Sequence, residues 1–262
     1  MELRTSCGWV TTLKAWKSDT PEVSRVLILD GTADAETYRA LFGENLEMVE
    51  IDVEQNLDVI QAIDTPMGKK RLTDPDNHPA LAQAVSLARG RGAGLITNKA
   101  AVELARNLGY LEEGYPVAHF NALRGVNHME SLDSLVIAGR PEPDAKAVES
   151  IARALWPTEP LDLSGAYVWR QDGLATVASH PDARCDGLLR MFREAEINQA
   201  IGRLRAVRSL TRKLVIILTH TPTGLPGVKQ LPFHDMVVPA PLARLLLKGG
   251  GVAPLVPAYM AK

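Results

Sequence analysis

The 262-residue sequence is short of cysteine, of aromatic side chains and of any excess charge. Its two cysteines, Cys7 and Cys185, are far apart and form no C-x-x-C pair, which excludes a disulfide framework and a cysteine-based zinc site. His180 lies five residues before Cys185, too little for a metal site. A formal charge of −2 gives no global field to draw in nucleic acid, so any such contact must come from a local basic patch. No apolar run approaches the roughly 18 residues of a membrane span, and no basic, apolar and small-residue leader opens the chain. A cytoplasmic protein with no membrane partner is expected.

A phosphate-cradling loop is also missing. The Gly68-Lys69 pair is followed by Lys70, and Ile63 stands where the first glycine of Gly-x-x-x-x-Gly-Lys-Ser/Thr would be. No Asp-Glu pair follows an apolar strand. Phosphoryl transfer needs that lysine, a held magnesium and a group that positions water, so the chain alone is expected not to hydrolyse ATP.

An apolar share of 46% is ordinary for a globular chain, and the pattern along it is α/β. Val26–Leu29 reads as a buried strand, Asp34 as the N-cap of a helix over 35–42, and Met48–Val53 as a second strand. The segment 64–78, with prolines and Gly68, reads as a linker. Helices over 79–89, 100–108 and 144–155 then alternate with strands at 94–97, 116–120 and 134–138, which implies parallel pairing. A hairpin over 167–178 interrupts the scheme, and a helix from Cys185 to Ala206 leads into Lys213–Leu218, expected as the central strand. The proline-rich tail reads as loop with a short helix over 242–247.

The most informative segment is Glu196–Arg208. As a helix it lines up Ile197, Ile201 and Leu204 on one stripe and puts Gln199 and Arg203 together on the other face. Gly202 costs about 1 kcal/mol in a helix interior, which suggests a close approach by a ligand or backbone. The arginines offer planar forks suited to phosphate oxygens. The plain alternative is a basic amphipathic helix with solvated arginines.

Gln199-x-x-Gly202-Arg203 followed by further arginines resembles motif VI of superfamily 2 helicases. There the glutamine and arginines face ATP bound between two RecA-like lobes. The family's second arginine falls three residues after the first, where this chain has Ala206, so Arg205 and Arg208 both stay candidates. Upstream, 118–130 is similar to motif V: Gly125 lets backbone N–H groups approach a phosphate, and Asn121, Arg124 and Asn127 can donate to one. The alternative is a plain loop with an asparagine turn. Thr97, Asn98 and Lys99, after the strand at 94–97, resemble motif IV, although either Thr97 or Asn98 is equally explained as a helix N-cap. Residues 27–34 resemble motif III, with Thr32 and Asp34 as the coupling residues.

The four segments follow the family's order, III, IV, V and VI. The resemblance implies a three-layer RecA-like domain with a mostly parallel sheet and a small β-hairpin insertion. Residues 1–63 would be a remnant of a first lobe with its linker, 64–225 the second lobe, and 226–262 a tail. Arg203, with Arg205 or Arg208 and Gln199, would serve ATP and Mg²⁺ held mainly by a missing first lobe. Gly125, Asn127 and Gly202 would touch that nucleotide. Thr97, Asn98, Lys99, Asn121 and Arg124 would grip nucleic acid, DNA before RNA. The partner first lobe would lie in the same parent protein or in a separate chain. Two rivals are a non-catalytic nucleic-acid or protein binding module derived from such a lobe, and a doubly wound transferase acting on a small molecule.

Overall fold

The computed structural model of the chain describes residues 3–4, 10–11, 27–28, 30, 32–51, 53–62, 64–65, 67–74, 78–172 and 175–236. They form two compact units. One comprises 1–50, 142–169 and 178–192; the other comprises 51–141, 170–177 and 193–262. The units interleave along the chain, whereas the sequence reading divides it in succession.

The larger unit is built on a six-stranded, all-parallel sheet. Numbering the short pair Leu3–Arg4 and Val10–Thr11 as β1 and β2, its strands are β3 (Leu57–Ala62), β4 (Gly94–Thr97), β5 (Val117–His119), β6 (Ser134–Ala138), β9 (Lys213–Leu218) and β10 (Lys229–Leu231). Their order is β10-β3-β9-β6-β4-β5. Residues Leu135, Val136, Ile137, Ile216, Ile217 and Leu218 are almost wholly buried, as expected of central parallel strands covered on both faces.

Alternation sorts them into layers. Val136, Ile216 and Leu218 pack with Leu72, Leu81 and Val85 beneath α2 (Lys69–Thr73), α3 (His78–Gly90) and α4 (Lys99–Asn107). Leu135, Ile137, Val215 and Ile217 pack on the opposite face against Ile197, Ile201 and Leu204 from the end of α6 (Ala183–Ile201). The α/β three-layer arrangement is therefore as expected, and the sheet is parallel throughout. β7 (Val168–Asp172) and β8 (Ala175–Ser179) form the two-stranded insertion.

Four expectations are corrected. No strand forms over 48–51 or at Val53, where Val49 and Ile51 are 74% and 77% exposed. Leu27, Ile28 and Asp30 are likewise irregular, while Val26 and Leu29 lie outside the described residues. The apolar pattern is present, but a strand needs a ladder partner and neither segment has one among the described residues. The linker at 64–78 contains the single turn of α2. The tail contributes β10, which extends the sheet beside β3, and the helix expected over 242–247 lies outside the described residues.

In the other unit, α1 (Ala35–Phe42) begins as expected: Asp34 Oδ1 accepts the Thr37 N–H at 2.8 Å. α5 (Ala145–Leu155) and the start of α6 bury Val148, Ala152, Trp156, Cys185 and Leu188 together. His180, fully buried, accepts the Asp182 N–H at Nδ1 (3.1 Å), so its Nε2 carries the proton donated to Glu149 Oε1 (3.1 Å). Every ring nitrogen there is satisfied, which makes the histidine a structural tie between α5 and the turn before α6.

Candidate functional site

Parallel strands deliver their carboxyl ends to one edge, where open α/β sheets bind ligands. Thr97 and His119 are paired at the ends of β4 and β5, and the Phe120 N–H bonds the Thr97 carbonyl at 3.0 Å. The segments 97–99 and 119–130 thus leave the same edge side by side.

Their side chains differ in availability. Thr97 and Asn98 are buried, and Thr97 Oγ1 and Asn98 Nδ2 have no hydrogen-bond partner. Asn98 occupies the N-cap position of α4 but does not cap it through its side chain. Lys99 is exposed and lies 3.8 Å from Glu103. In the following loop Asn121, Arg124, Gly125 and Asn127 are all exposed. Gly125 has φ +78°, so its glycine is required by the turn.

The helix expected to run to Ala206 stops at Ile201 and continues as two 3-10 turns, Gly202–Leu204 and Ala206–Arg208, hinged at Arg205. Gly202 is one physical reason, since a glycine weakens the helix where it would have continued. Nothing in the described chain lies within 4 Å of a Cβ placed on Gly202, so no neighbouring backbone demands it. Arg203 is half-buried and its Nε donates back to the Gln199 backbone carbonyl at 3.2 Å. Gln199 is also half-buried. Arg208 is exposed.

The segments resembling motifs V and VI are tied to each other. Glu196 Oε1 accepts the Asn121 N–H at 2.6 Å. Arg205 donates to Asn127 Oδ1 at 3.0 Å and pairs with Glu130 Oε2 at 3.2 Å. At the opposite edge, where β6 and β9 begin, the Lys213 ammonium donates to the carbonyls of Glu130 (2.5 Å) and Leu204 (2.9 Å), so one buried cation pins both segments there. Among described residues other than glycine, only Asn121 (φ 66°) and Arg205 (φ 49°) have positive φ, and both belong to these segments. Such conformations cost of order 1 kcal/mol or more and cluster at functional sites.

The remaining predicted residues belong to the other unit. Thr32 donates through N and Oγ1 to Asp30 Oδ1, both at 2.9 Å, and Asp34 caps α1. Sequence reasoning assigned no role to Glu130, Glu196 or Lys213. Glu130 and Glu196 stood inside the quoted segments, but an acidic residue among arginines gives no sign of which partner it meets.

Among the described residues no group of three His, Cys, Asp or Glu side chains could hold a metal ion, and no helix is long and apolar enough to cross a membrane. No protein-family model, curated protein or solved structure matches the chain.

Proposed function

We propose that the chain acts as the second motor lobe of a nucleic-acid-dependent, helicase-type ATPase. It would offer Arg203 and the exposed Arg208 to the phosphates of ATP·Mg²⁺ held mainly on another lobe, and Lys99, Asn121 and Arg124 to a nucleic-acid backbone. The observation that carries this reading is the junction itself. Two segments about 75 residues apart, each similar to a helicase motif, meet twice: through Asn121–Glu196 just past the carboxyl end of β5, and through Arg205–Asn127 beside the amino ends of β6 and β9. The left-handed backbone at Arg205, a residue type that seldom adopts it, supports this reading.

Exposed cations on these segments would supply what the net charge does not. Arg124, Arg208 and Lys99 are exposed, and each contacted phosphate should add about 0.7 to the slope of log affinity against log salt for a single strand. Binding of a fluorescent deoxythymidine oligonucleotide should weaken with salt, and Arg124→Gln should lower that slope by roughly one phosphate's share. A slope unchanged in Arg124→Gln, or no binding at low salt, speaks against the nucleic-acid assignment.

A further inference from the structure

We propose that the Glu130 carboxylate is a built-in stand-in for a phosphate group, occupying an oxyanion seat formed by Arg205 and Asn127 until a phosphate displaces it. The inference rests on the motor-lobe reading for the identity of the ligand, but it concerns a residue to which no role has been given.

The geometry separates a rigid frame from a loose occupant. Lys213 Nζ, buried, donates to the backbone oxygens of Glu130 and Leu204, so the two chain segments are fixed by contacts that do not involve the Glu130 side chain. Arg205 is held left-handed at φ 49°, which points to a position kept for its side chain despite the strain. The ion pair itself is solvated: the Arg205 and Glu130 side chains retain 34% and 46% of their exposure. An exposed pair of this kind contributes little and exchanges readily. A guanidinium binds carboxylate and phosphate oxygens in the same planar geometry, so either anion satisfies the same fork. Asn127 has its Oδ1 on Arg205 at 3.0 Å, which orients the guanidinium and leaves its amide to donate to the incoming anion.

Glu130 therefore competes with ligand phosphate. Removing its charge while keeping its shape, Glu130→Gln, should tighten binding of both pyrophosphate and a deoxythymidine oligonucleotide about two- to five-fold, the range set by an exposed ion pair. It should also steepen the oligonucleotide salt slope by about 0.7, because one more cation becomes available to a phosphate. Adding Arg205→Gln to Glu130→Gln should erase both gains, while the urea midpoint of Glu130→Gln stays near wild type because the Lys213 ties remain. Tightening for pyrophosphate alone assigns the seat to a nucleotide phosphate; tightening for the oligonucleotide assigns it to the backbone. Unchanged affinity and slope for both probes in Glu130→Gln overturn the proposal. That failure is distinct from failure of the motor-lobe reading, which shows as absent Arg203-dependent ATPase in a reconstituted enzyme even when Glu130→Gln binds phosphate more tightly.

Discussion

Gln61 gives the clearest energetic test of how the carboxyl edge is built. It lies near the end of β3, is 2% exposed, and its Nε2 donates to the carbonyls of Thr219 and Thr221, both at 2.7 Å, just past the end of β9. One neutral amide thus satisfies two backbone acceptors where the chain turns out of the central strand. In Gln61→Leu the volume is nearly kept but both acceptors lose their donor. A buried polar group left without its partner costs about 1–3 kcal/mol, so two such losses, reduced by the more apolar side chain, amount to about 2–5 kcal/mol. The assay is equilibrium urea unfolding followed by far-ultraviolet circular dichroism, with the midpoint falling and the slope unchanged. Gln61→Glu should be worse than Leu at neutral pH and should recover as the pH falls, because only the protonated acid can donate to a carbonyl. A loss under 0.5 kcal/mol in Gln61→Leu, on the order of an inert surface change, would refute the reasoning.

Gly139, just after β6, has φ +88°, and a Cβ there would stand 2.5 Å from the Met67 carbonyl oxygen, so Gly139→Ala should cost about 2–4 kcal/mol in thermal unfolding, and a wild-type melting temperature would contradict that. In the other unit, burial would raise the Asp182 carboxyl, but the Arg184 guanidinium and the backbone N–H groups of Asp162, Arg184 and Cys185 hold it below its ordinary value of 3.8. Its stabilising contribution is present above that value and lost as pH falls through the lower folded one; Asp182→Asn should flatten the acid limb of a Trp fluorescence unfolding profile.

The elements that were legible in the sequence are those whose pattern agrees with their surroundings. β4, β6 and β9 are nearly unbroken apolar runs because both faces are covered, and α1 and α5 carry an aspartate N-cap that accepts a backbone N–H in each case. β3 was hidden because Asp58 and Gln61 interrupt its run. Gln61 is tolerated inside only because two carbonyls wait for it, and those carbonyls lie some 160 residues away in sequence. β10 was hidden behind prolines, which end a strand but do not prevent a three-residue one at a sheet edge. The apolar segment at 48–53 shows the converse: alternation predicts a strand only when another strand is there to receive it.

The site was legible in its residues and not in its ties. Gln199, Arg203 and Arg205 were marked by type and spacing, and the spacing assumed one continuous helix. The break after Ile201 re-aims everything beyond it. It leaves Arg205 paired to Glu130 and Arg208 exposed. Periodicity carries no information about a left-handed residue, because Arg205 is held there by contacts to Asn127 and Glu130 across the chain.

The most direct test of the central claim is the rate of ATP hydrolysis when this chain is mixed with a separately produced lobe carrying the P-loop and the Asp-Glu box. Single-stranded DNA should stimulate hydrolysis that requires both components and falls by about 10³-fold or more in Arg203→Ala, the scale of a lost arginine finger. Hydrolysis that proceeds unchanged with Arg203→Ala, or that never depends on this chain, would contradict that claim.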